Sequence, residues 1–361
     1  MALMGNLMRG GASRRGAAAE PTCKPWTLAP FIRFASQAGV PWEPGWDKAG
    51  IRPSEPDRDE DLPIRGAYRF VHDLSYRHGA RSLGSLAPLG TEVGLALNPR
   101  MRDAVIRAPS LLDALVGARE WTHLQAPKSW IGLRLTAREL LVLHCGSGGP
   151  ELPGADSIEE YRTLRIIDLV RRYAGAAWLP PWIGLMQKGP VDPLFADSSG
   201  AARITTGERF SVVAINRSVF SHGGFGSLAP DSASTPGSAP ESEGDWSGWI
   251  RMLQAVLPTE AALGSPSAES AAEMLGWSVR TLQRRLREEG TTYRRLLLET
   301  RHREARRLLL ATEAPVHVIA ERVGYTDPAN FARAFRGHWG LSPQSLRDLE
   351  GPSPREGAPR P

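Results

Sequence analysis

The sequence predicts two folded regions, an N-terminal α+β domain and a C-terminal all-α domain with two helix-turn-helix units joined by a linker helix. Three observations lead to this prediction. Apolar residues alternate over positions 131–135 and form a continuous run over 140–143, as in two strands around a short turn. Positions 221–245 are rich in Gly, Ser and Pro, which is typical of a flexible linker. Beyond this linker, residues 272–278 recur in similar form as residues 320–326, 48 positions later.

Composition excludes several classes of protein. The chain has 361 residues, of which 41% are hydrophobic, so it can form two or three domains with a sizeable core. No apolar run approaches the roughly 18 residues that a membrane span needs. We therefore expect no membrane association. The only cysteines, Cys23 and Cys145, make no disulfide framework and indicate a cytoplasmic protein.

Both ends of the chain are predicted to be disordered. Residues 1–25 are rich in Gly, Ala and Arg and lack the apolar centre of a signal peptide, so they are expected to form a leader. Acidic residues are scarce there, which leaves an organellar transit peptide as an alternative. Residues 351–361 contain four prolines and are expected to form a tail.

The chain is basic, with a net charge of +5 and a pI of about 9.5. Only four of its 44 basic residues are lysine, and part of this arginine bias can reflect genomic base composition. Position is more informative, because residues 280–307 contain ten arginines and four acidic residues. Such a run is often a solvated helix face. A helix-turn-helix beside it favours phosphate binding instead.

Residues 26–220 are expected to form the α+β domain. Positions 130–145 predict two strands around a short turn. Ser157 and Glu160 have the spacing of a capping box, which predicts a helix from Ser157 that ends at Gly175. The remaining elements are weaker predictions: strands over 177–185 and 210–215, and helices over 68–78 and 102–118.

Residues 246–350 are expected to form the helical domain, beginning with a helix over 246–257. In the first repeat, a short helix over 267–275 is broken at Gly276, which permits a tight turn. Ser278 can cap the next helix, over 279–289. A long helix over 292–310 then links the two units and is expected to fix their separation.

The second repeat has the same design. Gly324 makes the turn, Asp327 can cap the following helix, and Pro328 takes its first position, where a missing N–H is tolerated. Phe331 and Phe335 are expected to face inward. Ser342 and Pro343 repeat this cap and proline before a closing helix, which is predicted to run to residue 349.

The apolar pattern leaves a polar outer face on the second helix of each unit. In the first unit Leu282 and Leu286 point inward, which leaves outside Arg280, Gln283, Arg284 and Arg287. An arginine fork matches guanine O6 and N7, and a glutamine amide matches adenine N6 and N7. In the second unit Arg333 is the candidate for base contact, and Asn330 and Arg336 suit the phosphate backbone.

These residues carry a family resemblance. The run GYTDPANFARAFRGHWGLSP, residues 324–343, resembles the signature of the AraC/XylS transcriptional regulators. Residues 272–286 and the pattern RxxxAxxLL at 301–309 have that family's spacing. The similarity spans about 100 residues and implies a seven-helix module that binds the major groove of double-stranded DNA. Leu286 departs from the family, which often has Phe there, so we expect a local repacking.

The resemblance also assigns site residues. It places Arg280, Gln283 and Arg284 at recognition positions of the first unit, and Pro328, Ala329, Ala332 and Arg333 at those of the second. The expected base contacts are Arg280, Gln283, Arg284, Ala329, Ala332 and Arg333. The expected backbone contacts are Ser278, Thr281, Arg287, Asn330 and Arg336.

The N-terminal element order resembles the effector-binding domain of the ornithine/arginine-type subgroup of this family. It resembles less well the cupin-like arm of the sugar-responsive members. The resemblance implies a sensor for an unidentified small molecule, and it is compatible with a homodimer and with RNA polymerase as a partner. Two alternatives remain: a constitutive regulator whose N-terminal half only dimerises, and a DNA-binding protein fused to a cysteine-reactive enzyme domain.

Little in the N-terminal half suggests catalysis. The chain has no CxxC, HExxH, GxSxG or GxxxxGK[ST] motif, so we expect no catalytic site, metal or cofactor. His144 and Cys145 could ligate a metal, but packing is commoner for such residues at strand ends. The carboxylates of residues 57–61 are typical of a solvated loop. Four tryptophans could line an apolar pocket, although core packing is the commoner role: Trp121, Trp130, Trp178 and Trp182.

Overall fold

A computed structural model of the chain describes residues 22–49, 61–78, 105, 107–126, 129–220, 248–263, 266–312 and 314–350. They divide into two compact units, one ending at Met252 and the other starting at Leu253. The first contains the sheets and the second is helical, as the sequence predicts. The predicted linker and tail, and residues 1–21 of the predicted leader, lie outside the described residues.

The N-terminal unit begins with a strand pair that the sequence did not reveal. Strand β1 (Thr22–Cys23) pairs antiparallel with β2 (Leu62–Pro63). Lys24 Nζ lies 3.0 Å from Asp61 Oδ1, and Thr22 Oγ1 donates to Asp61 Oδ2 over 3.1 Å. The prediction of disorder up to residue 25 is therefore wrong for the last four of those residues, because this pairing orders them. The rest of the predicted acidic loop lies outside the described residues.

Three helices pack beside this strand pair. After a 3-10 turn over Pro25–Leu28 come α1 (Ala29–Gln37), α2 (Glu43–Lys48) and α3 (Ile64–His78). Phe70 and Leu74 of α3 are completely buried, and Trp46 stacks on Phe70 with ring centroids 5.1 Å apart. Helix α3 starts four residues before its predicted position, because buried Ile64 and Ala67 extend its apolar side by one turn.

A five-stranded mixed sheet forms the centre of this unit. Its strands are β3 (Trp130–Leu135), β4 (Glu139–Cys145), β5 (Ile183–Leu185), β6 (Ile204–Thr206) and β7 (Ser211–Asn216). The order is β3-β4-β7-β5-β6, with the β5-β6 pair parallel and the others antiparallel. The predicted pair within 130–145 is confirmed. The predicted strand over 177–185 shortens to its last three residues, since Pro180 and Pro181 lack the N–H that a ladder needs.

Helices α4 (Leu111–Gln125) and α5 (Ala155–Ala174) accompany the sheet, and a short α6 (Pro193–Ser199) follows β5. Helix α4 starts at Leu111 because Ser110 caps it by accepting from the Asp113 N–H. The predicted helix over 102–118 is therefore interrupted, since residues 107–110 are not helical; Val105 is helical, and residues 102–104 and 106 lie outside the described residues.

The predicted capping box at the start of α5 is also wrong. The N-cap is Gly154, with φ of +86°. A Cβ there would lie 2.3 Å from the carbonyl oxygen of Tyr68, so the chain can approach α3 only with glycine. Ser157 lies inside the helix and its Oγ is 3.1 Å from Ser75 Oγ, while Glu160 accepts from Gln187 Nε2 over 3.3 Å. Gly175 ends the helix as predicted.

Seven helices follow in the described residues from Gly248 to Glu350. They are α7 (Gly248–Leu263), α8 (Ala268–Leu275), α9 (Val279–Glu288), α10 (Tyr293–Ala311), α11 (Val316–Arg322), α12 (Pro328–Trp339) and α13 (Pro343–Glu350). Each matches a predicted helix to within a few residues, except that α7 continues past Pro258. Residues 259–263 continue the helix beyond this proline, with Ala261 buried among them.

The core of the second repeat is shared between elements. Phe331 and Phe335 of α12 are completely buried and pack with Ile319 and Ala320 of α11. The same cluster contains three residues of the linker helix α10, Ala305, Leu308 and Leu309, and Leu346 of the closing helix. The linker helix is therefore part of the interior of the second helix-turn-helix.

Candidate nucleic-acid interface

The turn of the first helix-turn-helix is fixed by local hydrogen bonds. Gly276 ends α8 with φ of +71°, and its N–H and that of Trp277 bond to the last carbonyls of the helix. Ser278 Oγ then accepts from the Thr281 N–H over 3.1 Å and begins α9. The predicted glycine turn and serine cap are therefore both present.

Helix α9 has one buried and one polar face. Leu282 and Leu286 are completely buried, so the leucine that replaces the family's usual phenylalanine still fills its core position. The opposite face exposes the four side chains predicted there: Arg280, Gln283, Arg284 and Arg287. Ser278 is also exposed and Thr281 is half-buried. The structure thus brings the first-unit candidates together on one helix and its cap.

Two arginines of α9 have partners that sequence reasoning missed. Arg284 Nη1 lies 2.5 Å from Glu288 Oε1, in a pair whose two side chains are both exposed. The spacing of four residues is a detectable signal for such a pair. Arg285 lies over the indole of Trp277, 4.3 Å from the ring centroid. Since this contact spans the turn, it holds Arg285 away from the outer face.

The second turn places a cation beside its glycine. Gly324 has φ of +88°, and a Cβ there would lie 3.0 Å from Arg301 Nη2 of the linker helix. The Arg301 guanidinium also lies 5.6 Å from the centroid of the Tyr325 ring. Asp327 Oδ1 accepts from the Ala329 N–H over 2.8 Å, and Pro328 occupies the first helical position, as predicted.

The corresponding helix of the second unit, α12, exposes two arginines, whereas α9 exposes three. Asn330, Arg333 and Arg336 are exposed together with Ala329, whereas Ala332 is half-buried. Arg333 Nη2 donates to Asn330 Oδ1 one turn earlier. These two residues, which were predicted to have separate roles, therefore contact each other.

Three of the six arginines of the linker helix form ion pairs. Arg295, Arg306 and Arg307 pair with Glu299, Glu350 and Glu304 at 2.5–2.8 Å. In contrast, Arg280 and Arg287 of α9 have no carboxylate within ion-pair distance among the described residues. Arg294 and Arg303 of the linker helix are likewise exposed and have no such partner among the described residues, so the cations available to an anionic partner lie on both α9 and α10.

A buried histidine joins the linker helix to the second unit. His302 is 1% exposed, and its Nε2 lies 3.1 Å from the hydroxyl of Tyr325. Its ring also lies 4.8 Å from the ring of His338 on α12. Desolvation, and then electrostatic repulsion from the His338 and Arg301 side chains, lower the pKa of His302 to about 4. His302 is therefore neutral near pH 7.

His144 and Cys145 lie on opposite faces of β4, as neighbours in a strand must. The His144 ring is buried, with Nε2 3.1 Å from Thr163 Oγ1 and Nδ1 3.2 Å from Glu159 Oε2. Desolvation lowers the pKa of His144. Cys145 packs in an apolar cluster with Trp130 and other residues. His144 cannot therefore act as a base for the Cys145 thiol. The described residues contain no group of three or more His, Cys, Asp or Glu that could hold a metal.

The four tryptophans do not gather around one pocket. Trp130 and Trp182 share the cluster of Cys145, while Trp121 and Trp178 lie outside it. A cavity of about 80 Å³ lies elsewhere in the N-terminal unit, between the first elements and α5. None of the four tryptophans lines it, and its lining includes Cys23, Tyr68, Tyr161, Arg162 and Arg165. Among the described residues no helix is long and apolar enough to cross a membrane.

Known proteins resemble the C-terminal region most. Residues 271–348 match the model of a helix-turn-helix domain family. Over 83 residues the chain is 41% identical to the ornithine utilization regulator of Pseudomonas aeruginosa. These residues make up 23% of this chain and 24% of that protein. Over 80 residues it is 39% identical to the transcriptional activator RhaS of Escherichia coli. These residues make up 22% of this chain and 29% of that protein. The chain thus spans about a quarter of the length of these relatives.

The chain also resembles solved structures of regulators. The C-terminal domain of AraT, a response regulator from Geobacillus stearothermophilus, is 34% identical and covers 31% of this chain and 93% of that chain, with a TM-score of 0.28. The transcriptional regulator CdpR from Pseudomonas aeruginosa is 18% identical and covers 92% of this chain and 100% of that chain, with a TM-score of 0.38.

Proposed function

We propose that this chain, whose C-terminal region is an AraC-type helix-turn-helix domain, is a sequence-specific DNA-binding transcription regulator controlled by a small molecule bound in its N-terminal unit. The observation that carries the proposal is the outer face of α9. Arg280, Gln283, Arg284 and Arg287 are exposed together immediately after a capped glycine turn. A face with three arginine forks and one amide suits guanine and adenine edges and the flanking phosphates.

The two units are proposed to bind unequally. Helix α9 reads bases through Arg280, Gln283 and Arg284, with Ser278, Thr281 and Arg287 on the backbone. Helix α12 positions the protein through Asn330 and Arg336 and reads with Arg333, beside the small side chains of Ala329 and Ala332. This division is supported by composition, because α9 exposes three arginines and α12 exposes two beside small side chains.

Control by a small molecule is proposed for the N-terminal unit. The P. aeruginosa relative is named as a regulator of ornithine utilization, so regulation connected with a metabolite is known among the proteins that this chain resembles. The cavity in the N-terminal unit offers room for such a molecule. A regulator of this type would act in the cytoplasm, where the free thiols of Cys23 and Cys145 stay reduced.

Genome-wide mapping of bound DNA, followed by footprinting of the strongest site, tests the proposal. We expect protection of roughly 20 base pairs, because two recognition helices about 34 Å apart enter successive major-groove faces. Affinity should fall steeply with salt, since arginines displace counterions from phosphates. Binding without sequence preference, or no binding at low salt, would contradict the proposed function. A thermal-shift screen of metabolites separates the sensor from a constitutive regulator, because a bound effector raises the apparent stability.

A further inference from the structure

We propose that the cavity of the N-terminal unit binds a small monocarboxylic acid with an apolar body, and that Arg165, Arg162 and Tyr161 hold its carboxylate. The proposal rests on the proposed function, since it gives the effector a site and a chemical class. The residues concerned lie on α5 and face the elements at the start of the unit.

The cavity has the size and lining of a small-ligand site. Its volume is about 80 Å³, compared with the roughly 10–15 Å³ that one water needs and the roughly 150 Å³ of an engineered cavity that holds benzene. Much of its wall is apolar, including Leu28, Phe31, Ile64 and Ile158. An apolar wall with a few convergent polar groups is typical of sites for small organic molecules. The volume favours a compact body of several heavy atoms.

The charged groups of the lining are positive. Arg162 and Arg165 are three residues apart on α5, so they lie on one side of the helix and one turn apart. Among the described residues, no Asp or Glu lines the cavity. A guanidinium presents a planar fork that matches a carboxylate. The cavity therefore favours an anion over a neutral or cationic ligand.

The Arg165 charge is not neutralised. Its guanidinium lies over the ring of Tyr161, 5.6 Å from the centroid, and no carboxylate among the described residues lies within ion-pair distance of it. Arg162 donates to two neutral oxygens, Ser129 Oγ over 3.1 Å and the Cys145 carbonyl over 3.3 Å. The acidic neighbour of Arg162 is Glu159, which accepts from the Gly146 N–H and faces His144. Arg165 is thus the cation available to a ligand, and Arg162 a fixed second donor.

A buried hydroxyl complements these cations. Tyr161 is 4% exposed and lines the cavity, and its hydroxyl interacts with the Arg165 side chain without forming a hydrogen bond of normal geometry among the described residues. A buried polar group without a partner is costly unless a ligand or water satisfies it. Burial raises the pKa of Tyr161, so the hydroxyl keeps its proton and can donate to a carboxylate oxygen.

The lining also predicts what the site rejects. An α-amino acid carries an ammonium, which would find no carboxylate among the described lining residues and would lose its hydration. A simple acid should therefore bind more tightly than its 2-amino derivative. Isovalerate, isovaleramide and L-valine form a matched set, because they share one carbon branch and differ in charge and in the amino group.

Calorimetry and thermal shift on the full chain test the proposal, with probes from butyrate to benzoate and the matched set. We expect at least one acid to bind, and its amide and 2-amino derivative to bind at least 10-fold more weakly. Arg165→Gln should weaken binding of the acid roughly 10- to 100-fold, as expected for a lost charge-assisted hydrogen bond. Tyr161→Phe keeps the aromatic ring, removes the hydroxyl, and should weaken binding of the acid several-fold. Arg172→Gln is the control, since Arg172 is exposed on the same helix and does not line the cavity.

The outcomes separate this proposal from the proposed function. Binding of no acid, equal binding of acid and amide, or unchanged binding by both Arg165→Gln and Tyr161→Phe would overturn the carboxylate site. Footprinting the same variants without ligand reports on DNA binding alone. If those variants still protect the DNA site and lose only the response to the acid, both proposals stand. If the wild-type chain protects no site, the proposed function fails. Calorimetry then still measures whether the cavity binds the acid.

Discussion

Arg284 and Glu288 form an ion pair on the outer face of α9, with 2.5 Å between Nη1 and Oε1. An arginine proposed to read a base is therefore occupied by a neighbouring carboxylate in the absence of DNA. Both side chains are more than half exposed, and such pairs contribute only about 0–1 kcal/mol. A base edge can therefore displace Glu288 at small cost, and the pair orients the guanidinium beforehand.

Removing the arginine should reduce both affinity and sequence preference. Arg284→Ala is expected to lose about 1–3 kcal/mol on the specific site and to relax discrimination at one base pair. Arg303→Ala is the matched control, since Arg303 is exposed on the linker helix. Footprinting and titration on single-base variants of the site provide the measurement. An unchanged footprint for Arg284→Ala would place the reading face elsewhere.

Neutralising Glu288, the partner of Arg284, should strengthen DNA binding. Glu288→Gln frees Arg284 and deletes a negative charge that we place near the phosphates, so we expect tighter binding, roughly 2- to 10-fold at low salt. The gain should be largest on non-specific duplexes, which respond to charge alone. Asp197→Asn makes the same charge change on an exposed residue of the N-terminal unit and should have little effect. Equal gains in the two variants would show that only net charge matters.

The two turn glycines should differ in their tolerance of alanine. Both have positive φ, so a Cβ costs about 1–2 kcal/mol at either position. At Gly276 nothing lies within 4 Å of the added Cβ, whereas at Gly324 the Arg301 guanidinium must move away. We expect Gly324→Ala to cost about 0.5–1 kcal/mol more, through the weakened contact of Arg301 with Tyr325. Urea unfolding of both variants measures the difference, and equal losses would contradict it.

Acid should destabilise the protein through His302. Its pKa is lowered to about 4 in the folded state, so between pH 6.5 and 4 the unfolded chain binds more protons. Stability from this group is therefore present above pH 6.5 and is lost as the pH falls towards 4. We expect a loss of about 1–2 kcal/mol from pH 7 to pH 5 that depends on His302. Urea unfolding at both pH values should show a smaller loss in His302→Gln, and an equal loss would refute the assignment.

The two cysteines should be inert in the folded protein. Cys145 is buried in an apolar cluster on the face of β4 opposite to His144. Desolvation raises the pKa of Cys23 to about 11. A thiol reagent should therefore label neither residue quickly at pH 8, and should label both in denaturant. Rapid labelling of native Cys145 would favour the cysteine-reactive alternative.

The sequence predicted best what depends on neighbours in the chain. Caps such as Ser278 and Asp327 and the glycine turns are local, so residue type and spacing were sufficient. The start of α5 was misplaced, because Gly154 is selected by the close approach of Tyr68, 86 positions earlier. The cavity residues run from Cys23 to Arg165, and no local pattern connects them. The contact of Arg285 with Trp277 depends on the path of the turn, which spacing alone does not give.

Because Ala305, Leu308 and Leu309 belong to the interior of the second helix-turn-helix, the length of α10 sets the distance and rotation between the two units. Each residue inserted before Ala305 would rotate the first unit by about 100° and shift it by about 1.5 Å relative to the second. Single-residue insertions in α10 would therefore misalign the two recognition helices on the DNA, and would not adapt the protein to an operator with another half-site spacing. An insertion in the short connection around Gly290, between α9 and α10, would leave the length of α10 unchanged. Operators of regulators that keep this helix should therefore keep its spacing, even where their base sequences diverge.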